Sequence, residues 1–279
     1  LPSLKTYHKR TFNFSEDLEE TVVWVAAIEG KDNFHEEDYL NPLYKEIYLV
    51  LTSHLGKSYH IQFAGESAMG SSELRAFHLQ DLTEDNVPEL VFMNLDDSFS
   101  KTEPDEEIQD LLKFSVGLNL GLHFLSSAIT YDPLVSEVDS LTASKVVILD
   151  SLISNIDRTA KNANLLNWNN ELWIIDNGAS FYFHHNWQTW ENHLTRTFPL
   201  IKDHVLLPKA TVLQEAKEEV IKRIDKNVIT EIVNNIPEDW LLNEGDILSP
   251  DDMRAAYSKF LYTNISMIDK LVKEAEDAR

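Results

Sequence analysis

The chain has 279 residues with 47 acidic against 24 basic side chains, a formal net charge of −23 and no cysteine. A surface of that sign repels nucleic-acid phosphates and anionic lipid, so direct binding to either is not expected. The missing thiol excludes disulfides, cysteine nucleophiles and cysteine-ligated zinc. The length suffices for one large domain or two lobes. There is no run of about 18 apolar residues and no signal-peptide pattern at the start, which sets the cytoplasm as the expected compartment.

The first 95 residues are strand-rich. Residues 21–28, 47–51 and 59–63 are β-branched and aromatic enough for strands, and 90–93 reads as a further buried strand after Pro88. Gly65 and Gly70 bracket a small polar stretch, and 71–82 is predicted to be a short helix carrying Glu73. The acidic run 81–89 lacks the glycine and the closing Glu of a calcium-binding EF-hand loop, so it reads as an acidic turn. Residues 98–106, polar and proline-containing, are predicted to be a linker. From Glu107 the pattern turns helical. Ile108, Leu111, Leu112, Ser115, Leu118 and Leu122 recur at three-to-four spacing and predict one amphipathic helix. Residues 144–156 form a second, apolar helix. Further helices are predicted near 211–224, 228–235 and 250–278, the last opened by Pro250 with Asp251 and Asp252. The expected division is a strand-rich region over 1–95 and a mainly helical one over 96–279.

The stretch 157–176 carries the chemistry. Asp157 leaves the apolar helix, Asn162 follows five residues later, and Asp176 closes two short apolar runs joined by Asn169-Asn170. Asn tolerates positive φ, so that pair suits a hairpin turn, and folding the hairpin would bring Asn162 and Asp176 together. Gly178 then gives the backbone freedom such a turn uses. Phosphoryl transfer asks for little covalent help: the acceptor hydroxyl must be oriented and the phosphate charge neutralised. Asp157 is the candidate to accept the hydroxyl proton. Asn162 and Asp176 are candidate ligands for Mg2+, which takes a few protein oxygens beside phosphate and water. The bland alternative is a polar loop in which Asp157 caps or pairs with Arg158 and Asp176 caps a strand.

Several separated blocks resemble the bacterial HipA-like kinases. They are Asn-Ile-Asp-Arg-Thr-Ala-Lys-Asn-Ala-Asn-Leu-Leu (155–166), Leu-Trp-Ile-Ile-Asp-Asn-Gly-Ala-Ser-Phe (172–181) continuing to Trp187, and Phe-Pro-Leu-Ile-Lys-Asp-His-Val-Leu-Leu-Pro (198–208). Residues 102–113 and Gly117-Leu-Asn-Leu are also similar, so the likeness covers roughly 88–279. The resemblance implies a bilobal α+β protein-kinase-like fold, with a strand-rich N-terminal lobe and a mainly helical C-terminal lobe. It implies ATP with Mg2+, transfer of the γ-phosphate to a Ser/Thr hydroxyl of an unidentified protein substrate, and an antitoxin-like or regulatory partner. Carried over residue by residue, it makes Asp157 the catalytic base and Asn162 and Asp176 the metal ligands.

Two departures stand out. The family usually has His after the metal-turn Asp, where this chain has Asn177. The family also places a phosphate-binding lysine at the end of a strand, in a Lys-Phe pair. The counterpart here is Tyr59-His-Ile-Gln-Phe, with Gln62 at the lysine position, and a neutral amide cannot offset phosphate charge. Glu73 corresponds to the helix glutamate that pairs with that lysine, and Phe92 and Met93 are candidates to cover the adenine. Three explanations for the missing lysine compete: a substitute cation such as Lys57 or Lys161, a degenerate pseudokinase, or a different N-terminal module. The missing lysine leaves a second reading, a pseudokinase that binds nucleotide or a partner without transfer. A third is a lipid or small-molecule kinase, because Asp-Arg-Thr-x-x-Asn also resembles phosphoinositide kinases; the acidity argues against a membrane substrate.

His184, His185, His193 and His204 with Asp203 match no zinc spacing, and adjacent histidines on a strand would face opposite sides. They are expected to support the segment after the metal turn or to line the acceptor cleft, with Lys202 and His204 touching substrate. Phe181, Phe183, Trp187 and Trp190 are expected in the core. Gly56-Lys57-Ser58 is not a Walker A loop, since position 51 is Leu.

Overall fold

Among the described residues, the early chain is made of strands and one buried helix organises the rest. The computed structural model describes residues 11–13, 18–26, 47–53, 58–62, 86–95, 97–102, 106–241 and 248–279. The chain forms two units, Leu1–Glu66 with Pro88–Ser126, and Ser67–Val87 with Ser127–Arg279. The helix predicted over 71–82 with Glu73, and most of the acidic turn at 81–89, lie outside the described residues.

The first unit is built on a six-stranded sheet, ordered β1-β5-β6-β4-β3-β2. Its strands are β1 (Thr11–Asn13), β2 (Leu18–Ala26), β3 (Ile47–Ser53), β4 (Ser58–Gln62), β5 (Leu90–Leu95) and β6 (Gly117–His123). β1 runs parallel to β5, and the other pairs are antiparallel.

The helix predicted from Ile108 to Leu122 is a correction. Helix α1 covers only Glu106–Phe114. Ser115 then turns, and Gly117 adopts φ +105°, a conformation that glycine reaches without a Cβ penalty. β6 follows, with Leu122 opposite Leu90 on one side and His60 on the other. Leu118, Leu120 and Leu122 alternate as well as they recur, and Gly117 and Gly121 disfavour a helix, so the strand wins. Pairing of β6 with β4 and β5 gathers the chain up to Ser126 into this unit, past the boundary that composition suggested at residue 95. The predicted linker at 98–106 is in part a 3-10 helix, Asp97–Thr102.

In the second unit, α2 (Ser140–Ile153) is the central element, and every residue from Val146 to Ile153 is buried. A helix apolar on all sides belongs in a core. Asp139 caps its first turn, accepting from the N–H groups of Leu141 at 3.0 Å and Thr142 at 2.9 Å. Around it pack α3 (Leu213–Arg223), α5 (Pro250–Ser266) and α6 (Ile268–Ala278), while α4 (Lys226–Asn234) packs on α5. Ser249 and Asp252 form a reciprocal capping box at the start of α5, with Pro250 in the first turn. The single helix predicted over 250–278 breaks at Met267, where φ −104° and ψ 10° leave helical values. Beyond the break, Ile268, Leu271, Val272 and Ala275 bury one face.

A small sheet, β7-β8-β9, completes this unit, formed by Ile129–Thr130, Leu165–Trp168 and Glu171–Ile174. The predicted hairpin is present, and both turn residues take positive φ, 53° at Asn169 and 64° at Asn170. That is the sign a two-residue hairpin turn needs. Among the described residues no helix is long and apolar enough to cross a membrane.

Candidate active site

The end of α2 starts the site. Ser154 takes φ 53°, stopping the helix, and its N–H returns to the carbonyls of Asp150 and Ser151. Asn155, buried, then holds the chain on both sides: its amide donates to Asp150 Oδ1 at 3.2 Å, and its Oδ1 accepts from the N–H of Asp157 at 3.2 Å. Asp157 therefore enters its loop tethered to the core. The loop closes on itself where the Thr159 N–H donates to the Asn162 carbonyl at 2.9 Å.

Asp157 and Asn162 meet directly. The Asn162 amide donates to Asp157 Oδ2 at 2.7 Å. Asn164 Nδ2 reaches the same oxygen at 3.4 Å and the Asp176 carbonyl at the same distance. Asn164 thus ties the loop to the turn after β9, and both Asn164 and Asp176 adopt positive φ, 49° and 50°. The Asp176 carboxylate accepts from the Gly178 N–H at 3.4 Å, an Asx-type closure of that turn. The Asn162 nitrogen is used on Asp157, and its amide oxygen accepts no hydrogen bond among the described residues. Amide and carboxylate oxygens, the kinds that Asn162 and Asp176 carry, are hard donors that suit Mg2+. Among the described residues no three His, Asp or Glu side chains cluster to hold an ion by themselves.

Beneath this loop lies a buried ion network. Arg158 is only 1% exposed. Its Nε donates to Asp150 Oδ2 at 2.5 Å, Nη1 to the carbonyls of Asn164 at 2.5 Å and Ile175 at 3.2 Å, and Nη2 to Asn177 Oδ1 at 2.6 Å. Asn177, where the resemblance leads one to expect His, is the acceptor that ends this fork. Asp150 Oδ2 also meets His204 Nε2 at 2.9 Å. Burial alone would raise the Asp150 pKa, but the Arg158 charge and the hydrogen bonds from His204 and Arg158 outweigh it and hold the carboxyl below its usual range. Burial pushes the His204 imidazole down, against the pull of Asp150. The Leu206 N–H donates to His204 Nδ1 at 3.0 Å, so Nδ1 carries no proton and the neutral ring donates from Nε2.

Apart from Lys161, the remaining sequence candidates among the described residues lie on other segments. Lys161 is exposed on the loop. Gln62 ends β4, and Phe92, half-buried, and Met93 lie on β5, all in the first unit. Glu73 lies outside the described residues. His204 is 5% exposed with both nitrogens engaged, so it does not face an acceptor; Lys202, beside it, is exposed. His184 and His185 are not on a strand but on the 3-10 helix Tyr182–His185, where their rings touch at 4.5 Å. Phe181 and Phe183 are buried as expected, while Trp187 and Trp190 are half-buried.

Asp150, Arg158, Asn164 and His204 were not read from sequence as one group. A signal existed for the first: Asp150 is the lone carboxylate in an otherwise apolar helical run, and such a residue is buried only with a partner. Its partner His204 lies 54 positions away, a separation no local pattern spans.

A model of the HipA-like kinase family matches residues 73–264. No curated protein matches the chain. Among solved structures, the crystal structure of a Helicobacter pylori proinflammatory kinase, CtkA, is similar with a TM-score of 0.50 and 15% identity, covering 85% of this chain and 94% of that one. At that identity the likeness speaks for the fold, which is α+β and kinase-like. With the family match spanning well over half its length, this chain belongs to the HipA-like kinases.

Proposed function

We propose that this chain is an ATP-dependent Ser/Thr protein kinase in which Asp157 accepts the proton of the acceptor hydroxyl. One observation carries this reading. Asp157 Oδ2 is held by the amides of Asn162 and Asn164, while Oδ1 accepts no hydrogen bond among the described residues. A carboxylate oriented through one oxygen and open at the other suits proton acceptance. As the hydroxyl oxygen bonds to the γ-phosphorus and the bond to the β–γ bridging oxygen breaks, the hydroxyl proton passes to Oδ1. Asn162 Oδ1 and the Asp176 carboxylate are the groups that would hold Mg2+, which supplies charge neutralisation at the phosphates. The HipA-like family match supports the nucleotide and the metal, an unidentified protein substrate and a regulatory, antitoxin-like partner. A cytoplasmic setting belongs to the same proposal.

Asp157→Ala is expected to lower phosphotransfer by about 10²- to 10⁴-fold while ATP·Mg2+ still raises the unfolding temperature. Near-normal transfer by the purified variant refutes the role. A second reading is favoured by Gln62 at the lysine position: a pseudokinase that binds nucleotide without transfer. Binding to the wild-type protein with no phosphoryl transfer supports that reading instead.

A further inference from the structure

Arg158 does more than neutralise Asp150. A buried guanidinium must place its five N–H donors on acceptors, and here its three nitrogens reach four separate points of the chain. Those points are the last turn of α2, the residue before β8, the residue after β9, and the residue after Asp176. The catalytic loop and the candidate metal turn are thereby bonded to one planar group. On its other flank, the Arg158 carbonyl accepts from the Val205 N–H at 3.0 Å, and Thr159 bridges His204. His204 closes the circuit on Asp150, so the 3-10 segment Pro199–Asp203 ends against the same group.

We propose that Asp150, Arg158 and His204 form a positioning unit that sets Asp157 relative to Asp176. Phosphoryl transfer then depends on the geometry of this unit over and above its contribution to folding. The inference rests on the kinase reading of the site. A guanidinium is a rigid five-donor fork, and a lysine ammonium, though it keeps the charge, cannot reach acceptors in the same divergent plane. Misplacing reacting groups by about 1 Å costs on the order of a hundredfold in rate.

The test separates geometry from stability. Asp150→Asn combined with Arg158→Met removes both charges, so neither is stranded in the core. Arg158→Lys keeps the charge and loses the fork. Measured together are kcat, KM for ATP, the Mg2+ concentration for half-maximal rate, and the urea unfolding midpoint. Both variants are expected to lose about a hundredfold in kcat and to need about tenfold more Mg2+, with KM for ATP little changed. The double variant should stay folded but unfold at a lower midpoint than the wild type, because the carbonyls of Asn164 and Ile175 and Asn177 Oδ1 lose their donor. Recovery of kcat together with stability in the double variant overturns the proposal.

If both variants fail to fold, His204→Gln serves, since it keeps an amide donor toward Asp150 and loses the acceptor for Leu206. It should lower kcat about tenfold at unchanged KM, and an unchanged kcat overturns the proposal. If the wild-type protein transfers no phosphate, the kinase reading fails by itself, and the unit is read through Mg2+-dependent ATP binding. A tenfold rise in the Mg2+ concentration needed for half-maximal ATP binding in Arg158→Lys then supports the unit, and an unchanged Mg2+ requirement overturns it. Wild-type protein that binds no nucleotide overturns both.

Discussion

Acidification below pH 6.5 is expected to destabilise the protein through His204. Its ring is held neutral in the fold by burial, and its Nδ1 is occupied by the Leu206 N–H at 3.0 Å, so native protonation would break that bond. In the unfolded chain the ring takes a proton at its ordinary value of 6.5. Below that pH the unfolded state binds more protons than the native one, so stability falls as pH falls. The fall continues until the depressed native pKa is reached, at about 1.4 kcal/mol per pH unit. Between pH 7 and pH 5 this amounts to about 2 kcal/mol if the native ring stays neutral throughout. Asp150 does not interfere. Its native pKa lies below 3.8, so its contribution is present above that value and lost only in stronger acid. The assay is urea unfolding at pH 7, 6 and 5, followed by tryptophan fluorescence, for wild type and His204→Gln. The stability advantage of the wild type should shrink by about 2 kcal/mol across that range. An advantage that is constant or grows as pH falls would mean a charged native imidazole paired with Asp150, and would refute the reasoning.

Two further variants probe the core around the site. Phe181 is fully buried, with its ring 5.9 Å from those of both Tyr257 and Phe260; Phe181→Ala should cost about 3–5 kcal/mol, and calorimetry giving less than about 1 kcal/mol would contradict this packing. Asp139→Ala removes the cap of α2 and should cost about 1 kcal/mol in urea unfolding at pH 7. Burial would raise the Asp139 pKa, but its hydrogen bonds to Thr142 and Leu141 outweigh that and lower it. The difference between variant and wild type should therefore persist down to about pH 4 and vanish only in stronger acid.

Where pattern and neighbour agreed, the elements were legible. The β8–β9 hairpin was visible because Asn169 and Asn170 are residues that accept positive φ between two apolar runs, and both do so. Helix α2 was visible from its apolar length, although it begins at Ser140, where Asp139 caps it, rather than at residue 144. Residues 106–123 misled because leucines four apart satisfy a helical period and a strand period alike. Pairing with β4 and β5, two distant segments, chose the strand. The contact of Asp157 with Asn162 was foreseeable from a spacing of five within one loop. The service of Asn177 to Arg158 was not, because it depends on where the hairpin returns the chain.

The sequence by itself determined the local devices: a buried helix that stops just before an aspartate, an asparagine one loop-turn later, and a hairpin that carries a second aspartate back. Each rests on residues within about one turn or one strand of each other, where backbone preference acts directly. Tertiary structure alone decided what anchors them. Asp150, Arg158 and His204 come from segments up to 54 positions apart. Their partnership follows from the cost of burying a charge without a counter-ion, a cost that exists only once the chain has closed around it.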